Sequence, residues 1–338
     1  MFQAEETRKL DRFIQLLLAN ATVFVSGEKL AEPLNVSRMT ICNWVHRLRE
    51  QGMVIEIKPK TGYRLTQVPD LLLPQLIKRE LRTKVLGKSL YHYFQVGSTN
   101  DVAHQLAQQG VAEGALIMAE QQTHGRGRLG RDWYSEKSVG IYLSLILRPD
   151  LKPRHASIIN LAAAVALSQA IENTCALTTD IRWPNDVLVN NKKCSGILTE
   201  MSADLDQIKY MVVGIGINVN HPSFPKSLEG RASSLFLEGG RRFSRIEIIL
   251  ALLRFFEDLY FQFQEQGSDE VLKQWIRRSS FARGKEVSVD LGDKKIHGTT
   301  MGLGKEGTLR VKLRRGLIED VMSGDVVIWE RANDRPRG

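Results

Sequence analysis

Three glycines and three arginines interleave in Gly125-Arg126-Gly127-Arg128-Leu129-Gly130-Arg131. Glycine removes the side chain, so a ligand can come up against backbone N–H groups. Arginine adds forked, permanently charged donors that match phosphate and carboxylate. An empty loop of this kind pays for like-charge repulsion and backbone entropy, so it should be mobile alone and closed on an anion. The chemistry it suggests is the handling of a phosphorylated or carboxylated small molecule. An exposed basic loop, or a piece of an RNA-binding Arg-Gly tract, would have the same composition.

Three further segments bear on the choice. Arg182-Trp183-Pro184-Asn185-Asp186 runs into Val187-Leu188-Val189, then Asn190-Asn191, then Lys192-Lys193-Cys194-Ser195-Gly196-Ile197-Leu198. Asparagine tolerates positive φ, so Asn190-Asn191 between apolar runs predicts a hairpin that brings Lys193 towards Asp186. A solvated surface lysine is the alternative. Gly97-Ser98-Thr99-Asn100-Asp101 precedes a helical run ended by Gly110, which makes Ser98 an expected N-cap. Val212–Asn220 reads as a buried strand whose Gly214 and Gly216 let something flat lie on the backbone.

Together these segments resemble the catalytic domain of bacterial biotin protein ligases, and the resemblance spans nearly the whole chain. The N-terminus resembles the repressor-type subgroup, in which the ligase also represses the biotin operon. The resemblance implies that Ser98, Thr99, Asn100 and Gln122 meet the biotin rings, with Gly214 and Gly216 in the same pocket. It implies that Arg126, Gly127 and Arg128 wrap the acyl-phosphate under Trp133, and that Lys193 contacts the reacting carbonyl. Arg128 and Lys193 are thus the catalytic candidates. Arg128, Arg131, Asn185, Asp186 and Asn218 would lie near the nucleotide. ATP and Mg²⁺ are the implied co-substrates and biotin the substrate, with no tightly bound prosthetic group. Implied partners are the biotin carboxyl carrier protein of acetyl-CoA carboxylase, operator DNA, and a second copy of the chain when biotinyl-AMP is bound. The pattern departs from the family at Asp132, where a basic or neutral residue is expected. An acid there would weaken nucleotide affinity or pair with Arg131. Residues 221–245 follow the family loosely and receive no role.

The chemistry also follows from the residues. A carboxylate must be activated before an amine can displace anything from it, and transfer of AMP from ATP does this. Arginines and a lysine placed in advance stabilise the charge that builds on phosphoryl oxygens, roughly 3–4 kcal/mol per well-placed donor. There is no GxxxxGK[ST] loop, so the basic loop must cradle the phosphates. No carboxylate pair is spaced as a metal cage, so no metal-ligating residues are expected and Mg²⁺ would arrive on phosphates and water. Cys42, Cys175 and Cys194 form no CxxC pair, which argues against structural zinc or a disulfide framework and for a cytoplasmic setting. Cys194, beside Lys193, is expected to be a small buried hydrophobe. Two other functions share these features: a regulator that senses an acyl-adenylate without making it, and a lipoate-type ligase.

With 338 residues, 43% of them hydrophobic, the chain can bury two or three cores, and a formal charge of +9 suits nucleic acid or an acidic partner. Charges at Glu5, Glu6, Arg8 and Lys9 argue against a signal peptide. The longest apolar stretch, residues 158–171, is too short to span a bilayer. The expected fold is α+β in three parts. Residues 1–66 form a winged helix-turn-helix: Ser26 caps one helix, Asn35-Val36 turns, Ser37 caps a recognition helix, and Lys58 and Lys60 sit in the wing. From Arg38 to Arg64 there are six basic residues against two acidic, and Arg38, Thr40, Asn43 and Arg47 are placed to meet bases and phosphates. A small helical adaptor that meets protein is the alternative. After a linker near residues 67–74, residues 75–280 form a mixed-sheet ligase domain. Residues 281–331 form a five-stranded SH3-like barrel, a lid or docking module beside the site. The tail beyond 331 is expected to be disordered.

Overall fold

The computed structural model describes residues 2–21, 23–50, 52–67, 70–292 and 294–329, with side chains from residue 9 onward. The expected tail after 331 lies outside the described residues. The chain divides into two compact units, residues 1–79 and 80–338.

The first unit opens on α1 (Phe2–Ala19). Leu10, Phe13, Ile14 and Leu17 recur at helical spacing and are all buried. This helix was not among the expected elements, although its apolar stripe is present in the sequence. α2 (Gly27–Ala31) follows, capped by the Ser26 side chain. A short 3-10 turn ends at Asn35, whose φ of 49° suits asparagine. α3 (Arg38–Glu50) buries Ile41, Trp44, Val45 and Leu48 on one face, and the Trp44 ring meets Phe13 at 5.5 Å. The wing is β1 (Val54–Lys58) paired antiparallel with β2 (Gly62–Gln67). Gly62 is obligatory there: a Cβ would lie 2.0 Å from the Val25 carbonyl oxygen.

The stretch after the wing differs from the expected linker. Leu71, Leu72 and Leu73 are at most 1% exposed, because three consecutive leucines bury far more favourably than they solvate. α4 (Pro74–Glu80) follows, and its Gln75 amide donates to the Asp11 carbonyl at 3.2 Å. By packing, most of this helix belongs with the first unit rather than opening the second.

The second unit is built on a seven-stranded mixed sheet in the order β3-β4-β5-β9-β8-β7-β6, parallel only between β3 and β4. The strands are β3 (Leu90–Tyr93), β4 (Leu116–Ala119), β5 (Ile141–Leu147), β6 (Asp180–Arg182), β7 (Asp186–Val189), β8 (Lys192–Ala203) and β9 (Ile208–Ile217). α5 (Thr99–Gln108) lays Ala103 and Ala107 on Ile117, Ile146 and Val212. All seven residues of β5 are buried, so both faces of the sheet are covered. α6 (Ala156–Cys175) is apolar nearly all round and packs between the sheet and α8. α7 (Leu235–Gly239), α8 (Arg245–Gln266) and α9 (Asp269–Arg277) complete the helices. Glu257 of α8 accepts the N–H groups of Lys84, Val85 and Leu86 at 2.5–2.8 Å, which fastens the start of this unit to its core.

The five C-terminal strands form one antiparallel sheet in the order β13-β12-β11-β10-β14. They are β10 (Arg283–Asp290), β11 (Lys295–Leu303), β12 (Leu309–Leu313), β13 (Ile318–Val321) and β14 (Asp325–Ile328). Trp183 Nε1 donates to the Gly307 carbonyl at 3.1 Å, and Ser157 donates to the Glu306 carbonyl. These bonds seat the small sheet beside the seven-stranded one. No helix among the described residues is long and apolar enough to cross a membrane.

Candidate active site

A cavity of about 380 Å³ opens over β8 and β9, within the usual size for a small-molecule site. Its floor is made by glycines. A Cβ on Gly214 would lie 2.2 Å from Asn100 Oδ1, and one on Gly216 would lie 2.4 Å from the Trp133 indole. The flat group that β9 was expected to accommodate is thus supplied in part by the chain's own tryptophan.

One end is formed by Ser98, Thr99 and Asn100, all buried at the start of α5. Ser98 has the extended backbone of an N-cap, yet its side chain makes no capping bond. Gln122 does this work instead: its Oε1 accepts from the Thr99 N–H at 2.8 Å and from the Thr99 hydroxyl at 3.1 Å. The Ser144 hydroxyl donates to Asn100 Oδ1 at 2.6 Å, and Asn100 Nδ2 donates to Glu200 at 2.6 Å. These bonds fix donors and acceptors on buried side chains, where an unmade hydrogen bond is costly.

The Gly-Arg loop folds back on itself. Gly127 N–H donates to the Arg131 carbonyl at 2.6 Å and Trp133 N–H to the Gly125 carbonyl at 2.8 Å. Its arginines turn to different walls. Arg126 reaches Asp101 at 2.6 Å and Glu200 at 3.8 Å. Arg128 donates to the Gly324 carbonyl at 3.1 Å and lies 3.8 Å from Asp325. Arg131 also pairs with Asp325. Burial pulls the Arg128 guanidinium below its usual pKa, opposed by the charges of Asp325 and Asp186. Asp132 lines the cavity, and the partner of Arg131 is Asp325 rather than Asp132.

The hairpin forms as expected. Asn190 and Asn191 carry φ of 49° and 63°, which suits a tight turn between β7 and β8. Lys193 Nζ stands 2.6 Å from Asp186 Oδ1 and 5.4 Å from the Trp133 ring centre. Arg182 donates to the other Asp186 oxygen at 2.6 Å. The carboxamides of Asn185 and Asn218 are buried and donate to the backbone at Ile197 (2.5 Å) and Ser233 (3.0 Å). Both also line the cavity, so these bonds brace its wall. Cys194 is fully buried, and burial pushes its thiol up to about 12, which fits a packing residue.

Several lining residues escaped the sequence reading. Asp325, Val326 and Val327 come from β14, and Phe224, Leu228 and Arg231 from the segment given no role. Phe224 stacks on buried His221 at 5.2 Å, and His221 Nε2 meets the Tyr142 hydroxyl at 3.1 Å. Burial, with the nearby charge of Arg245, lowers the His221 pKa to about 4. Above the ordinary histidine pKa the residue is neutral in folded and unfolded chains alike, so His221 adds no pH dependence to stability there. From pH 6.5 down to about 4 the unfolded chain takes a proton that the native chain refuses, and stability should fall by about 3 kcal/mol. Urea unfolding of His221→Gln should show a flatter profile over that window, and an unchanged slope would contradict the assignment.

In the first unit, α3 exposes Arg38, Asn43 and Arg47, and the wing exposes Lys58 and Lys60. Thr40 is half-buried and lies 2.9 Å from Ser37 Oγ, which also accepts its N–H. Its hydroxyl is engaged in the helix cap. Arg64 stacks on Phe24 at 4.7 Å, with Lys58 at 5.9 Å.

Residues 91–218 match the Biotin/lipoate A/B protein ligase family, residues 9–64 an HTH domain, and residues 283–329 the Biotin protein ligase C terminal domain. The chain is 36% identical to the bifunctional ligase/repressor BirA of Bacillus subtilis over 93% of its own length and 96% of that protein's. It is 29% identical to the protein of that name from Escherichia coli, over 92% and 94% of the two lengths. Its structure resembles the biotin protein ligase from Aquifex aeolicus in complex with biotin and ATP, with a TM-score of 0.62 and 31% identity over 72% of this chain and all of that one. A ligase core holding these motifs, an N-terminal helix-turn-helix and a C-terminal ligase module lie in one chain, and that chain belongs to the bifunctional biotin ligase/repressor family.

Proposed function

We propose that the protein makes biotinyl-5′-AMP from biotin and MgATP, then transfers biotin to a lysine of the biotin carboxyl carrier protein of acetyl-CoA carboxylase. In the first step a biotin carboxylate oxygen attacks the α-phosphorus, the bond to pyrophosphate breaks, and pyrophosphate leaves. In the second the carrier lysine amine, having lost a proton, attacks the anhydride carbonyl and AMP departs. The observation that carries this reading is the convergence of Lys193, Arg128 and the buried start of α5 on one glycine-floored cavity. Ser98, Thr99, Asn100 and Gln122 offer the polar partners a ureido ring needs. Gly127, Gly214 and Gly216 let backbone come close. Arg128 and Lys193 face the carboxyl–phosphate junction, and Trp133 shields it from water. Arg131, Asp186, Asn185 and Asn218 frame the nucleotide end. Mg²⁺ enters with the triphosphate as part of the substrate, held by phosphate oxygens and water.

The same reading makes the protein a biotinyl-AMP-dependent repressor of biotin synthesis genes, acting in the cytoplasm as a homodimer. One winged helix offers little base-reading surface, so useful operator affinity needs two half-sites. Ordering of surface loops by the adenylate should strengthen dimerisation by about 1–3 kcal/mol, with reciprocal tightening of adenylate by the dimer. Sedimentation with and without biotinyl-AMP checks this; equal dimerisation in both states would remove the switch. Arg47→Ala should weaken operator binding and lower its salt slope by about one, with carrier biotinylation untouched. Loss of ligase activity in that variant would show that Arg47 serves the fold instead. The function itself is tested by biotin transfer to a carrier domain, with AMP and pyrophosphate measured.

A further inference from the structure

Glu200, on β8, lies outside the cavity wall but touches three residues that reach it from other elements. Its Oε2 accepts from Asn100 Nδ2 at 2.6 Å and lies 3.5 Å from His104 Nε2. Its Oε1 lies 3.8 Å from the Arg126 guanidinium, which also holds Asp101 at 2.6 Å. His104 is itself braced edge-on against Tyr210 at 5.7 Å. Hydrogen bonds from His104 and Asn100 and the charge of Arg126 hold the Glu200 carboxyl below its usual pKa despite partial burial, so it is ionised at neutral pH. Asn100 has little freedom to shift, since its carboxamide lies on Gly214 and accepts from Ser144.

We propose that Glu200 is the positioning residue that fastens the Gly-Arg loop to the ring-binding wall, with Arg126 as the fastener. The inference rests on the biotin-adenylating function proposed above. Arg126 is answered from α5 and β8, by Asp101 and Glu200, whereas Arg128 and Arg131 are answered from β14. A guanidinium held by two carboxylates is neutralised towards an anion, so Arg126 is poorly placed to stabilise phosphate charge. It is well placed to lower the cost of ordering the loop. Closing the loop forms both contacts, and opening it takes the cation away from Asp101 and Glu200. Because Glu200 also holds Asn100, closure of the loop and correct orientation of the ring-binding carboxamide are favoured together. The pair acts on how long ligand is retained, and leaves the chemical step to Arg128 and Lys193.

Three readouts on the full chain test this. Glu200→Gln keeps an acceptor for Asn100 but removes the charge that answers Arg126. It should raise the biotinyl-AMP dissociation rate and the KM for biotin roughly two- to fivefold, the range expected for a part-exposed ion pair. The single-turnover adenylation rate at saturating biotin should match the wild type. Adding Glu200→Gln to Arg126→Gln should change dissociation no further, since Glu200 would then have no loop cation left to answer. An unchanged dissociation rate in Glu200→Gln, or full additivity in the double variant, would overturn the proposal. If Glu200→Gln fails to fold by thermal melting, Glu200→Asp, which keeps the charge but shortens its reach to Arg126, decides: faster dissociation with an unchanged single-turnover rate supports the fastening, and unchanged dissociation overturns it. A wild-type protein that forms no biotinyl-AMP would overturn the function. An active wild type with unaltered variants would overturn the fastening alone.

Discussion

Lys193→Met is expected to lower biotin adenylation by about 10²–10³ in kcat while biotin affinity changes little. The lysine is 2.6 Å from Asp186 and beside the Trp133 ring, on the β7–β8 hairpin rather than at the start of α5 that holds Ser98 and Thr99. It can therefore act on charge that develops at the carboxyl–phosphate junction without touching the rings. Methionine keeps the length and apolar stem and removes only the charge. Rapid-quench single turnover separates the two effects. A variant that forms adenylate at the wild-type rate would leave Lys193 as a hairpin lysine paired with Asp186 and nothing more.

Arg128→Gly is expected to release biotinyl-AMP about 10–10²-fold faster, the scale of one or two charge-assisted hydrogen bonds. Arg128 is largely withdrawn from solvent between the loop and β14, with Asp325 and Asp186 both near. Its charge is answered now by Asp325, and a bound phosphate would offer a stronger partner in the same place. Glycine removes that partner and adds backbone freedom to a loop already rich in it. Leaked adenylate is a reactive acyl donor, so lysines on bystander proteins should become biotinylated. A stopped-flow chase with excess adenylate analogue checks the rate, and unchanged dissociation would count against the role.

The motifs were legible where the chemistry and the backbone demand coincide within a few residues. Alternating Gly and Arg, Asn190-Asn191 with both φ positive, and glycines at 214 and 216 each state a local requirement that a single sequence exposes. The recognition helix was legible because Ser37, an apolar stripe and Gly52 punctuate it. What was missed depends on distance along the chain. Nothing near Asp325 says that it will meet arginines almost two hundred positions earlier, and Glu200 carries no sign of its hold on Arg126. Phe224 and Leu228 lie in an irregular segment with no periodicity to read. Ser98 was legible as a cap position, but the side chain that bonds the helix end came from Gln122. α1 went unread although its stripe of Leu10, Phe13, Ile14 and Leu17 was present, because its charges drew the reading. The leucines at 71–73 were passed over because they sit between turn-forming residues.

The central claim is that this cavity joins biotin, and no other short-chain acid, to AMP. Pyrophosphate released in a single turnover with stoichiometric enzyme, MgATP and either biotin, lipoate or octanoate tests it directly. The account predicts about one pyrophosphate and one tightly held biotinyl-AMP per chain with biotin, and neither product with the other two acids. Equal pyrophosphate release with lipoate, or ATP cleavage that ignores biotin, would contradict it.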